Sequence, residues 1–314
     1  MQDSNHHFIS IVTPCYNEEG NVEELYRQVK AVVEGIPGYD FELIYIDNAS
    51  KDGTVAILRR LAAEDKRVKV ILNNRNFGHI RSPYHALLQA KGEAMIGMVS
   101  DLQDPPELIV DFVRQWEAGF KIVLGQKIGS DENGVMFSLR RLYYRLVNRL
   151  SDVDLLENVT GTGLYDREVV EMLRSLDESY PYVRGLVAEL GYPIARIPFN
   201  QPNRKSGITK NNWYTLYDMA MLGFTSHSKI PLRLAAMLGF AMSLLSFLAA
   251  IIYFIYKLLF WKSFPVGIAP AVIGLFLFSS VQLFFIGDIG EYIGAMHTKI
   301  LSRPLVTEKE RINF

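Results

Sequence analysis

Residues able to hold a cation beside a diphosphate are concentrated in Val99-Ser100-Asp101-Leu102-Gln103-Asp104-Pro105-Pro106-Glu107. Asp101, Gln103 and Asp104 offer hard oxygen acceptors plus one amide, a set suited to Mg²⁺ or Mn²⁺ rather than to a thiophilic metal. A second stretch, Arg204-Lys205-Ser206-Gly207-Ile208-Thr209-Lys210, combines cations and hydroxyls with a glycine that lets backbone approach closely. Its composition suits a loop that meets phosphate. Between the two lies a segment, 138–150, that carries Arg140, Arg141, Arg145 and Arg149. Spacing by four puts the last three on one helical face, suited to lipid headgroups or to an acceptor phosphate.

Such chemistry needs a frame that brings distant loops to one place. Apolar segments bounded like strands occur at 8–12, 41–46, 68–72 and 94–99, and each is followed by a polar loop and then by helical spacing, at 22–33, 55–63, 83–91 and from 106 to 116. Further strands are predicted at 120–125 and 194–199, with a helix at 182–190. This βα alternation predicts an α/β fold with a mostly parallel sheet covered by helices on both faces, and ligands bind such sheets at the carboxyl ends of the strands. The polar loops therefore converge on one edge. In the first, Tyr16 can stack on a base, and Pro14, Asn17 and Glu18 flank it. In the second, Asp47 can accept from a base N–H, while Ser50 and Asp52 can hold a loop or a ribose. In the third, Arg75 or Arg81 can meet phosphate beside Gly78. These residues form the candidate nucleotide-binding set.

The composition then changes along the chain. The protein has 314 residues and a formal net charge of −1, so no global electrostatic case exists for nucleic acid. Its single cysteine, Cys15, cannot form an internal disulfide, which fits a reducing compartment. No secretory leader is expected, because the first residues are polar and the apolar 8–12 segment is short. Two long apolar runs, 234–256 and 266–286, are each long enough as a helix, about 30 Å or more, to cross a hydrocarbon core. A short tip, 257–265, joins them into an expected transmembrane hairpin. An aromatic-rich segment over 213–230 is predicted as an interfacial helix leading into it. Lys229, Arg233, Lys299, Arg303, Lys309 and Arg311 flank the hairpin ends, against Lys257 and Lys262 in the tip. That bias places both ends in the cytoplasm. The expected division is thus a catalytic domain over 1–212, an interfacial helix over 213–230, two spans within 231–290 and a cytoplasmic tail over 291–314.

The segments 10–19, 47–54 and 101–107 resemble the N-terminal half of the family 2 glycosyltransferases, and the chain as a whole is most similar within that family to the polyprenyl-phosphate glycosyltransferases. The resemblance implies a GT-A nucleotide-sugar-binding domain, a nucleotide-sugar donor with a UDP-sugar foremost, a divalent cation and polyprenyl (undecaprenyl) phosphate as acceptor. It also implies a multi-pass protein of the inner, cytoplasmic membrane, and a homo-oligomer is expected. Carried over residue by residue, it assigns the cation to Asp101 and Gln103, catalysis to Asp101, Arg204 and Lys210, and the acceptor phosphate to Arg140, Arg204, Ser206 and Lys210. The sequence also departs from the family pattern. Asn48 stands where a second acid usually follows Asp47, Val99 stands at the first acid of an Asp-x-Asp motif, and Gly161 stands where the bactoprenol enzymes carry an Asp often assigned to catalysis. The alternatives are a glycosyltransferase for another lipid-linked acceptor and a membrane assembly protein with a decayed site. A processive synthase is disfavoured by the lack of a Gln-x-x-Arg-Trp segment.

Overall fold

The computed structural model describes residues 6–128, 159–178, 181–200, 268–300 and 303–314, with separate positions between 237 and 260. Arg140, the 141/145/149 face, Arg204, Ser206, Lys210, the 213–230 helix and most of the first expected span lie outside the described residues.

The described elements run β1 His7–Cys15, α1 Val22–Val33, β2 Tyr39–Asp47, α2 Thr54–Glu64, β3 Val68–Asn73, α3 Gly78–Gln89, β4 Ala94–Gly97, α4 Leu108–Glu117, β5 Ile122–Lys127, β6 Val159–Asp166, α5 Arg167–Ser175, α6 Val183–Glu189, β7 Ile194–Phe199, α7 Ile268–Ile300 and β8 Glu308–Ile312. All eight strands join one sheet in the order β7-β5-β6-β4-β1-β2-β3-β8. β1 pairs in parallel with β2 and β4, β2 with β3, and β5 with β7. β6 runs antiparallel between β4 and β5, and β8 antiparallel along β3. The expected mostly parallel α/β sheet is therefore present, with two antiparallel strands added.

Strand pleating explains how two cores form on one sheet. Ile9, Ile11, Leu43, Tyr45, Val68 and Val70 face one side and pack with Leu25 and Val29 of α1, Leu58 of α2 and Phe112 of α4. The alternate residues Val12, Ile44, Ile46, Ile71 and Met95 face the other, against Tyr84 and Leu87 of α3 and Val169, Val170 and Leu173 of α5. In α1 the buried positions Val22, Leu25, Val29 and Val33 recur at the spacing of one helical stripe. β6 lies very close to β5. A Cβ at Gly163 would stand 2.6 Å from Leu124 Cδ2 and 2.9 Å from the Val123 carbonyl oxygen, so a side chain here would force the two strands to shift.

Three local expectations are corrected. Helix α3 begins at Gly78 and not at Pro83, which sits inside it. The 94–99 strand ends at Gly97, and α4 begins at Leu108, because Pro105 and Pro106 shape a turn whose carbonyls accept from the N–H groups of Leu108 and Ile109. Residues 308–312, expected in a tail, form an edge strand. Arg81 binds the Pro304 carbonyl, His85 Nε2 lies 2.5 Å from Glu308, and Asn313 Nδ2 donates to the carbonyls of Ala62 and Val68 at 2.6 and 2.8 Å. Val306 is buried. These contacts fasten the C-terminal segment to α2, β3 and α3.

Among the residues whose side chains are described, no helix is long and apolar enough to cross a membrane. The structure does contain the 33-residue helix α7, which exposes Leu275, Leu283, Phe284 and Ile286. Val281, Phe284 and Phe285 of α7 face Leu238 and Met242 across an apolar cleft of about 370 Å³.

Candidate active site

The carboxyl ends of β1, β2, β3 and β4 bring four loops together, and each contains a residue with positive φ. These are Asn17 at 55°, Ala49 at 62°, Gly78 at 85° and Leu102 at 58°. Alanine and leucine rarely adopt this conformation, and such strain persists only where surrounding contacts over-determine the backbone.

Those contacts join the first two loops directly. The Asn17 N–H donates to Ser50 Oγ and the Lys51 N–H to Asn17 Oδ1, both at 2.8 Å. The Glu18 N–H donates to Thr54 Oγ1 at 2.8 Å, the Glu19 N–H to Asp52 at 3.2 Å, and the Gly53 N–H to Glu19 at 2.6 Å. Asn17, Ser50 and Asp52 thus fix one loop against the other. Burial acts to raise the Asp52 carboxyl, but the hydroxyl and N–H of Thr54 and the N–H of Glu19 outweigh it and hold Asp52 below the usual carboxylate range. Pro14 and Tyr16 are half-buried at the same edge, and Arg75 is exposed, stacked 4.1 Å over Phe77.

Asp47 behaves differently from its neighbours. It is 1% exposed; Oδ2 accepts from the Ser50 N–H at 3.0 Å, whereas Oδ1 has no hydrogen-bond partner among the described residues. A buried carboxylate oxygen without a partner is costly, and a donor from outside the described residues would relieve it. Behind it Cys15 is buried, and burial, then the Asp47 and Glu18 charges, push its thiol well above the usual range.

Asn48, one of the departures from the family pattern, turns out to be the hub of the adjacent loop. Its Nδ2 donates to Asn76 Oδ1 at 2.9 Å and to the Gly78 carbonyl at 3.1 Å. Its Oδ1 accepts from the Phe77 N–H at 2.8 Å and from Asn73 Nδ2 at 3.3 Å. A carboxylate cannot supply the two donors. In the sequence Asn48 reads as a missing acid; the fold shows it as an anchor.

The acidic turn leaves β4 with Asp101, Leu102 and Gln103 half-buried and Asp104 buried. Asp101 Oδ1 accepts from the Gln103 N–H at 3.1 Å, and Asp104 Oδ2 accepts from Thr162 Oγ1 at 2.5 Å. Asp104 is therefore turned inward toward β6, whereas Asp101 and Gln103 remain near the surface. The other two departures are neighbours here, since a Cβ at Gly161 would lie 3.3 Å from Val99 Cγ1. Among the described residues no group of three His, Cys, Asp or Glu could enclose a metal. A carboxylate and an amide oxygen nonetheless fit a Mg²⁺ or Mn²⁺ ion that takes its remaining ligands from substrate phosphates and water.

The family model described as Glycosyl transferase family 2 matches residues 10–174. A protein of Bacillus subtilis named uncharacterized glycosyltransferase YkcC is 34% identical over 305 residues, 96% of this chain and 93% of its own. The SfII prophage-derived bactoprenol glucosyl transferase of Shigella flexneri is 34% identical over 298 residues, 94% of this chain and 96% of its own. Glucosyl-3-phosphoglycerate synthase from Mycobacterium tuberculosis, solved in complex with Mn²⁺, uridine-diphosphate and phosphoglyceric acid, is similar at a TM-score of 0.48 and 20% identity, covering 70% of this chain and 76% of its own. With the family match spanning both the interlocked loops and the acidic turn, and with full-length relatives above 30% identity, the chain belongs to glycosyl transferase family 2 and is a glycosyltransferase.

Proposed function

We propose that this enzyme transfers one sugar from a nucleotide-diphosphate sugar, a UDP-sugar foremost, to a polyprenyl phosphate at a membrane surface. The observation that carries the donor half is the unpartnered Oδ1 of buried Asp47, which suits a base N–H at the carboxyl end of β2. The acceptor half draws on the full-length relatives named bactoprenol glucosyl transferase and on the apolar cleft beside α7. Membrane attachment through the 234–256 and 266–286 hairpin belongs to the same proposal. The return of β8 to the sheet that contains β1 supports an even number of crossings, with both ends of the chain on the side of the catalytic domain.

In this reading Asp47 orients the base and Asn48 holds the loop beside it. Asp101 and Gln103 would hold a divalent cation, which when bound would offset the charge of the departing diphosphate. An acceptor phosphate oxygen attacks the anomeric carbon as the bond to the donor diphosphate breaks, with inversion. Phosphate is already a competent nucleophile near neutral pH, so the step needs little help from a general base, consistent with glycine at position 161. The Arg204 to Lys210 segment and Arg140 would neutralise the two polyanions as they meet. The neutral Val99 and Gly161 pair favours a second reading, in which the acceptor is a different lipid-linked species.

The test is release of nucleoside diphosphate by the purified full chain against a panel of nucleotide sugars. Release that requires undecaprenyl phosphate supports the proposal. Equal release with and without it, or release only with another lipid-linked acceptor, overturns the assignment of the acceptor.

A further inference from the structure

We propose that Asp104 and Thr162 form a positioning pair that sets the direction of Asp101 and Gln103, and so the affinity of the cation site. The inference rests on the metal role given to Asp101 under the proposed function. Asp104 is 1% exposed and Thr162 0%, and the Thr162 hydroxyl donates to Asp104 Oδ2 at 2.5 Å. The bond joins the turn after β4 to β6, a strand formed from a distant part of the sequence.

Three features suit this contact to that role. The turn contains Leu102 at a φ of 58°, a conformation a leucine keeps only under constraint. Leu102, between Asp101 and Gln103, packs against the core, and Asp104, the next residue after Gln103, is tied to β6, so the segment is held at its middle and at its C-terminal end. On β6 the neighbours of Thr162 are Gly161 and Gly163, so at this point the strand offers a single side chain. A Cβ at Gly163 would stand 2.6 Å from Leu124 Cδ2 and 2.9 Å from the Val123 carbonyl oxygen, so β6 lies close against β5 beside Thr162. A group that orients a cation's ligands without touching the cation commonly changes metal affinity ten- to a hundred-fold when it is removed.

The experiment measures Mn²⁺ affinity of the full chain in detergent, with and without UDP, by titration calorimetry, alongside steady-state transfer. Thr162→Val keeps shape and removes the donor; Thr162→Ser keeps the donor. The expected result is an affinity for Mn²⁺ about ten-fold weaker in Thr162→Val and within about two-fold of wild type in Thr162→Ser, with turnover following affinity. Where Thr162→Val does not fold, Thr162→Ala removes the donor without a methyl against the carboxylate and gives the same comparison. If the variants lacking the hydroxyl bind Mn²⁺ like wild type while Asp101→Asn does not, the pair has no positioning role and the metal reading stands. If Asp101→Asn itself leaves Mn²⁺ binding intact, both fall.

Discussion

Replacing Asn48 by aspartate restores the acid that the family pattern usually has after Asp47, yet the structure predicts that it damages the protein. Asn48 is 6% exposed and its side chain makes four hydrogen bonds, two as donor. Aspartate keeps the acceptor for Phe77 and Asn73 but turns an unprotonated oxygen toward Asn76 Oδ1 and the Gly78 carbonyl. Asn76 cannot rotate its amide to compensate without losing the bond its Oδ1 accepts from the Gly78 N–H at 2.7 Å. Two acceptors on the exposed residues Asn76 and Gly78 lose their donor, and a charge on a buried side chain is placed beside buried Asp47, so the substitution should cost about 2 kcal/mol or more near pH 7. The new carboxyl would titrate higher in the folded chain than in the unfolded one. Its penalty is then absent below the unfolded value of about 4 and grows as pH rises through the folded value. Urea unfolding of the full chain at pH 5 and pH 7.5, with UDP affinity measured in parallel, checks this. Unfolding within about 0.5 kcal/mol of wild type at pH 7.5, with unchanged UDP binding, would refute the account of Asn48 as an anchor.

Three further outcomes are expected. Asp101→Asn should lower transfer by about a hundred-fold or more while leaving the unfolding midpoint near that of wild type, because it weakens cation and diphosphate binding together; wild-type turnover in this variant removes the metal role. Cys15 should resist maleimide in the native chain at pH 8, since burial and nearby carboxylates raise its thiol, and should react fully in urea; rapid native labelling contradicts the buried placement. Burial acts to raise Glu308, but hydrogen bonds from Arg311 and His85 outweigh it and leave its carboxyl below the usual range. Its contribution is therefore present above the unfolded value of about 4.3 and lost as pH falls through the folded one, so Glu308→Gln should be destabilised at pH 7 and converge with wild type toward pH 3.5.

Much of the frame was legible because it obeys simple periods. The parallel strands are buried on both faces and read as apolar runs, and the predicted 194–199 strand matches β7 at both ends. What escaped was polar or glycine-rich. β8 reads Glu-Lys-Glu-Arg-Ile, and its charges suit a sheet edge and carry no apolar alternation. β6 carries no strand signal because Gly161 and Gly163 interrupt it, although the close approach of β5 is what favours glycine at 163. Among the site residues, the convergence of Asp47, Asp101 and the first loop followed from topology. The division of labour did not, because whether Ser50 and Asp52 serve a ligand or another loop depends on contacts more than thirty residues apart. The roles of Asn48, Asp104 and Thr162 lie in such contacts alone.

The position of β8 also sets an order of events in biosynthesis. β3 is made early, at residues 68–73, but the strand that covers its outer edge is made more than two hundred residues later, at 308–312. Until that strand is made, β3 presents unpaired backbone groups to whatever else is near, the situation that promotes wrong strand pairing. Completion of the sheet must therefore follow synthesis of every helix in between, which makes 308–312 a seal on the folded enzyme. A chain arrested before residue 303 should be cut by protease near β3 much faster than the finished chain; equal resistance of the two would show that the edge is protected by other means.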